Sequence, residues 1–452
     1  MREQRIMYKH ENRAIFILAL IMSFRMLGLF MILPVFSVAA ATITGATPKL
    51  IGFAIGAYGL TQAALQIPFG AMSDKIGRKP IIILGLILFI IGSIVAATSH
   101  TMTGIIIGRA IQGGGAIGST VMALLADLTR DEGRTKAMAI MGLSIGCAFS
   151  IALIVGTLLN HFFGLSGIFF ATAIFGAIGI LLLLLVPQAP KIVAQSKQPA
   201  LNLLRNPSLI RLDFSIFSLH AILTAIFIAL PLVLYHKLNM SSEHTILMYL
   251  AVLVIAFILM VPFIIIAEKR RLLKQTMLAA IVVIAASSFL LNFAQNTWEI
   301  MIILSVFFTA FSLMEASLPS LVSKIAPIAH RGSAMGLYSS AQFSGIFIGG
   351  LIGGLLLSKF GVFGIFSFAA LLAIAWGATT LSLPEPPYLS TIVCSQKDLS
   401  KEQIEQIKAT EGIADIFFNP EEGLLIVKID KKIITENDLQ KKIKSITLGD
   451  QT

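Results

Sequence analysis

The chain has 452 residues, 56% of them hydrophobic and only 13% charged, against roughly 25% charged in an average soluble domain. A water-soluble fold of this length cannot bury so much apolar surface, so the composition excludes one and makes the bilayer the solvent for most of the chain. The formal charge of +11 raises nucleic acid as a partner, and two cysteines, Cys147 and Cys394, are too few for a disulfide scaffold.

Residues 1–13 carry Arg2, Arg5, Lys9 and Arg13 and run into an apolar stretch with no small-residue cleavage site, which predicts a retained first span and not a removable signal peptide. Breaking the apolar runs at charged or turn-rich points predicts spans at 14–41, 49–73, 80–99, 101–127, 134–163, 165–187, 209–236, 244–267, 273–295, 297–325, 331–359 and 361–383. With the N-terminus in the cytoplasm, the cytoplasmic loops hold most of the Lys and Arg, whereas the opposite loops hold only Lys49, Lys237 and Lys359. This positive-inside asymmetry removes the need for nucleic acid as a partner and puts both termini in the cytoplasm.

The spans repeat. Arg134-Thr-Lys-Ala-Met138 returns as Arg331-Gly-Ser-Ala-Met335, an offset of 197 (331 minus 134), and the same offset carries Phe163-Gly164 onto Phe360-Gly361, Pro187 onto Pro384 and Leu33-Pro34 onto Leu230-Pro231. At an offset of 194 (262 minus 68), Pro68-Phe69 followed by Asp74 meets Pro262-Phe263 followed by Glu268. The expected fold is an all-α membrane protein of twelve helices in two parallel six-helix halves, 1–187 and 209–384, joined by a basic cytoplasmic linker at 188–208. After Pro384 the composition turns polar. Strands at 391–394, 413–418 and 424–429, helices at 401–410 and 435–446, and a last short strand at 446–448 predict a small α+β, ferredoxin-like domain over 390–452.

Between the second and third spans lies Gly70-Ala-Met-Ser-Asp74-Lys-Ile-Gly77-Arg78-Lys79-Pro80. Gly77 suits a tight turn, and Asp74 can face a helix N-terminus, where a negative charge is favoured by about 0.3–1 kcal/mol. The loop resembles the signature loop of the major facilitator superfamily, and Arg109-Ala-Ile-Gln112-Gly113-Gly-Gly115-Ala116 resembles that superfamily's membrane-embedded arginine motif. An arginine in hydrocarbon costs at least ~2.5–3.5 kcal/mol, so Arg109 should face a cavity or a partner. Phe24-Arg25-Met-Leu-Gly28, Phe30-Met-Ile-Leu-Pro34, Tyr58-Gly-Leu-Thr-Gln62 and Met314-Glu315-Ala316, with the C-terminal domain, are similar to one branch of it, the YajR-type efflux transporters of bacterial inner membranes. The resemblance implies a proton-driven, multi-pass inner-membrane exporter without a resident cofactor. One departure is Gly156-Thr157, where drug–proton antiporters of the superfamily have a glycine-proline pair.

By the same resemblance, Arg25, Arg109, His220 and Glu315 line a central cavity. Glu315 lies some 18 residues into its span (315 minus 297) and is the carboxylate deepest in any span, which makes it the first candidate for a proton site, with the two arginines tuning it. A static Arg25–Glu315 or Arg109–Glu315 ion pair is the structural alternative. Tyr58, Gln62, Gln66 and Gln342 are candidates for lining the substrate path, or for tying helices together. Asp127 should approach the Asp74–Arg78 loop and form with it a conformational switch, with Gly70 and Gly77 shaping the loop and Glu268 as the counterpart in the second half. No catalytic constellation, metal-spaced His/Cys cluster or phosphate-cradling loop is present. The expected partners are small amphipathic or drug-like molecules, protons and lipid, with the protein a monomer. The rival readings are a facilitator or importer without proton coupling, and a membrane sensor signalling through the tail.

Overall fold

The computed structural model describes residues 2–129, 131–187, 203, 205–270, 272–327, 331–384, 389–395, 400–419, 424–430 and 433–449. Most of the proposed linker therefore lies outside the described residues. The chain is overwhelmingly helical: α1 (Arg2–Phe30), α2 (Phe36–Ala39), α3 (Pro48–Ile76), α4 (Arg78–Thr98), α5 (Met102–Gly114), α6 (Gly118–Asp127), α7 (Asp131–Leu184), α8 (Pro207–Leu232), α9 (Ser242–Lys269), α10 (Leu273–Leu290), α11 (Thr297–Ile325) and α12 (Arg331–Leu381). Among the described residues, nine of the helices are long and apolar enough to cross a membrane. The protein is thus a multi-pass membrane protein.

Several helix starts follow from local chemistry. Thr47 accepts from the amide of Leu50 before Pro48 opens α3, Asn206 accepts from Ser208 and Leu209 before Pro207 opens α8, and Asn296 caps α11 at Glu299. Each pairs a side-chain acceptor with otherwise unmet first-turn amides, and proline at the first helical position removes an amide that would have had no partner. Some predicted spans are interrupted. The first breaks after Phe30 and resumes as α2, with Pro34 in the break, and the fourth breaks between α5 and α6 at 115–117.

Two long helices bend at glycines related by the 197-residue offset. Gly164 sits at φ 64°, ψ −170° within α7, and Gly361 at φ 63°, ψ −158° within α12. Neither has an atom within 4 Å of where a Cβ would lie, so the left-handed backbone and not crowding requires glycine at both points.

The long helices pack side by side. In one set, α1 lies on α7, α4 on α5 and α7, and α3 on α5; in another, α8 and α10 lie on α12, and α9 and α10 on α11. Between these two sets, α3 also crosses α12 in one of the most extensive contacts of the bundle. There a Cβ on Gly52 would stand 2.3 Å from the Gly350 carbonyl oxygen, and one on Gly350 would stand 2.6 Å from the Gly52 oxygen. Phe53 and Phe347 pack edge to face beside them, with ring centroids 6.3 Å apart. This seal lies where α3 begins. Gly142 and Gly146 of α7 and Gly332 and Gly336 of α12, by contrast, have nothing within 4 Å of where a Cβ would lie.

The tail forms β1 (Leu389–Ser395), α13 (Lys401–Lys408), β2 (Ile413–Asn419), β3 (Leu424–Asp430) and α14 (Glu436–Gly449), with an antiparallel sheet in the order β1-β3-β2. Ser400 and Gln403 make a reciprocal capping box at the start of α13. The expected last strand at 446–448 is instead the end of α14: Ile443 and Ile446 continue the helical spacing set by Leu439 and pack on the small core of Val427 and Ile429. Lys428, 2% exposed on β3, donates to the carbonyl oxygens of Lys324, at 3.0 Å, and Ala326, the last acceptors of α11. A lysine is well placed at a helix C-terminus, where carbonyls lack intrahelical donors. Lys428→Met keeps the stem and removes the donors. The expected outcome is a loosened tail, seen as faster amide exchange at the end of α11 and in β3.

Candidate functional site

Three polar clusters occupy the bundle. The first is built on α3, whose Tyr58, Gln62 and Gln66 follow at four-residue spacing and so form one stripe of the helix. Arg25 of α1 donates through Nη2 to Gln62 Oε1, and Gln62 Nε2 donates to Gln66 Oε1 at 2.9 Å. Gly118 closes this chain from α6, its Cβ direction lying 3.7 Å from Arg25 Nη1. One turn along the stripe, the Arg109 guanidinium lies 4.8 Å over the Tyr58 ring and donates to Gln112 Oε1 at 2.5 Å. Gln112 in turn donates to Ser93 Oγ at 2.9 Å. Both arginines are essentially fully buried.

The second cluster is Glu315 of α11, His220 of α8 and Gln342 of α12. Gln342 Nε2 lies 2.8 Å from His220 Nε2 and 3.4 Å from Glu315 Oε1, and Glu315 Oε2 lies 3.8 Å from His220 Nε2. Among the described residues, Glu315 pairs with neither arginine. The static ion pairs weighed from the sequence do not occur: each arginine is satisfied in part by a glutamine on its own side, and Glu315 by neutral groups on the other. By sequence Glu315 is the one deep carboxylate, and the structure adds Asp213. This residue is half-buried in the second turn of α8. Its position near a helix start concealed it. The usable signal was its placement seven residues before His220 (220 minus 213), two turns along the same face.

The third cluster is the loop between α3 and α4. Gly77 caps α3 at φ 112°, with its amide on the Ser73 carbonyl at 3.1 Å. Arg78 pairs through Nη1 with Asp74, donates from Nη1 to Ser73 Oγ at 2.7 Å, and donates from Nε to Asp127 Oδ2 at 3.0 Å. Asp74 therefore neutralises Arg78 and does not cap α4, which has no side-chain cap. Gly70 admits Ser119 of α6, whose hydroxyl donates to the Gln66 carbonyl at 3.0 Å. Glu268 lies in the last turn of α9, and its side chain is outside the described residues. A charged hydrogen bond contributes about 1.5–3 kcal/mol when buried and less when partly exposed, as Arg78 and Asp127 are. Asp127→Asn is expected to move the balance of conformers up to about tenfold away from this one, read by cysteine accessibility. Unchanged accessibility and transport in Asp127→Asn and Asp74→Asn would remove the switch.

Thr157, where a proline was expected, continues α7, its hydroxyl donating to the Leu153 carbonyl at 2.9 Å. Among the described residues, no group of three or more His, Cys, Asp or Glu could hold a metal ion.

A bundle of apolar helices enclosing cation-bearing and carboxylate-bearing polar clusters, with a charged loop at one end, defines a membrane transporter. The family model of the Major Facilitator Superfamily matches residues 18–274 and 212–393. The chain is 41% identical to the inner membrane transport protein YajR of Escherichia coli K12, over 96% of this chain and 98% of that protein. It is 36% identical to an uncharacterized transporter of Buchnera aphidicola subsp. Acyrthosiphon pisum (72% and 85% covered), and 25% identical to the quinolone resistance protein NorA of Staphylococcus aureus MSSA476 (76% and 90%). The crystal structure of a D-xylose-proton symporter superposes with a TM-score of 0.65 at 18% identity, over 82% of this chain and 98% of that one, and that of the nucleoside transporter NupG with 0.63 at 15%, over 82% and 99%. The chain belongs to the major facilitator superfamily. It is a membrane transporter of small molecules and not an enzyme.

Proposed function

We propose that the protein is a proton-coupled secondary active exporter of small amphipathic compounds, working by alternating access as a monomer in a bacterial inner membrane. The observation that carries this is Glu315: a carboxylate inside a membrane helix whose described neighbours, His220 and Gln342, can be neutral, so it can change charge without breaking an ion pair. Asp213 stands on α8 two turns before His220. Likeness to NorA, named for quinolone resistance, supports export, and likeness to YajR supports the inner membrane.

The twelve crossings follow if α5 with α6 counts as one and α7 and α12 each count as two, divided at Gly164 and Gly361. Six then fall on each side of the linker, and the duplicated glycine bends support two related halves. With both termini in the cytoplasm, the α3–α12 seal is the periplasmic gate. The Asp74–Arg78–Asp127 cluster then serves as the cytoplasmic switch.

The test is flux in proteoliposomes under an imposed pH gradient. Substrate is expected to accumulate only when the gradient is present and to stop when an ionophore collapses it. Flux indifferent to the gradient refutes proton coupling and leaves a facilitator.

A further inference from the structure

Arg25 and Arg109 take no part in the Glu315 cluster, so what balances them is a separate question. Among the described residues neither forms an ion pair. Both are at most 1% exposed, yet Arg25 Nε and Nη1 and Arg109 Nε and Nη2 have no hydrogen-bond partner, nor do Gln66 Nε2 and the Tyr58 hydroxyl. The groups form one neighbourhood. Gln62 and Gln66 link to Arg25, Tyr58 lies under Arg109, and Tyr58, Gln62 and Gln66 share one stripe of α3. At a rise of 1.5 Å per residue, the Tyr58 and Gln62 levels at which the two cations meet α3 are about 6 Å apart along its axis.

The character of these orphan groups is uniform. All except the tyrosine hydroxyl are pure donors, and four of the six belong to two permanent cations. Buried donors normally find acceptors, and a buried charge is normally paired. Water can supply acceptors but no charge. The complement to such a cluster is acceptor-rich and negative, and guanidinium forks match the planar two-oxygen edge of a carboxylate.

We infer that the Arg25–Gln62–Gln66–Arg109 cluster is an anion-binding site that takes the carboxylate of an anionic or zwitterionic substrate. This rests on the transport reading above and deepens it. The two halves then divide the work: the arginine side holds the substrate's negative end, and the Glu315 side handles the proton.

The test is thermal unfolding of the full-length protein in detergent, at fixed pH and ionic strength and with no gradient, using sodium benzoate, benzamide and sodium chloride as probes. Benzoate is expected to raise the midpoint saturably and benzamide to leave it unmoved. Arg25→Gln and Arg109→Gln each abolish the benzoate shift, while Glu315→Gln keeps it. Should the arginine variants fail to fold, Gln66→Glu serves instead. It places a carboxylate beside Arg25, and should raise the midpoint without ligand and erase the benzoate response. An equal, arginine-dependent shift with chloride overturns the carboxylate assignment and leaves a site for an inorganic ion.

No shift with any probe, an equal shift with benzamide, or a benzoate shift that survives in the arginine variants or in Gln66→Glu overturns the inference. Loss of proton coupling in proteoliposomes leaves the detergent result untouched, so the two readings fail separately.

Discussion

Glu315→Gln is expected to reduce gradient-driven accumulation to the rate of protein-free vesicles while leaving substrate binding in detergent within about threefold, since removing one hydrogen bond of ordinary strength costs about 0.5–1.5 kcal/mol and this change removes none. Glutamine has the shape of protonated glutamate and keeps the contact with Gln342 at 3.4 Å, so the packing of α8, α11 and α12 around it is preserved. What is lost is the ability to gain and release a proton. His220→Ala and Gln342→Ala, which remove neighbours and not the titrating group, are expected to slow transport without uncoupling it. Coupled transport that persists in Glu315→Gln would move the proton site elsewhere, with Asp213 the next candidate.

The second large effect is expected at the α3–α12 seal. Even one added carbon at Gly52 would approach the Gly350 oxygen to 2.3 Å, inside any normal contact, and the opposing atom is backbone and cannot swing away. Gly52→Val therefore forces α3 and α12 apart where they cross. A single cysteine at Phe53, in a background with Cys147→Ser and Cys394→Ser, should label at least about tenfold faster, the change that about 1.4 kcal/mol makes in an open–closed equilibrium. Transport should fall with it, because the gate can no longer close. Gly142→Ala and Gly332→Ala are the controls. With nothing within 4 Å, each should be neutral or slightly stabilising in a helix. Slow labelling in Gly52→Val would show that this crossing is not a gate.

What the sequence made legible was set by local chemistry and by repetition. Gly164 and Gly361 stood out because the offset paired them, and both adopt the left-handed bend. The approach of Asp127 to Arg78 could be read because both lie at the ends of spans that must finish on the same side. The partners of Arg25, Arg109 and Glu315 could not be read, because depth in a span says nothing about rotation about the helix axis. Rotation puts Arg25 against Gln62 and Glu315 against Gln342. Asp213 was passed over because it lies near a helix start, yet the structure half-buries it in the second turn of α8. At 446–448 the apolar spacing fits both periods, and the core beneath α14 chose the helix.

The most direct test of proton coupling at Glu315 runs transport backwards. Proteoliposomes carrying a pH-sensitive dye receive a substrate gradient with no pH gradient imposed, and the internal pH is followed. Substrate moving down its gradient is predicted to drive protons the opposite way in the wild type and not in Glu315→Gln. Substrate flux in the wild type with no accompanying pH change would contradict it.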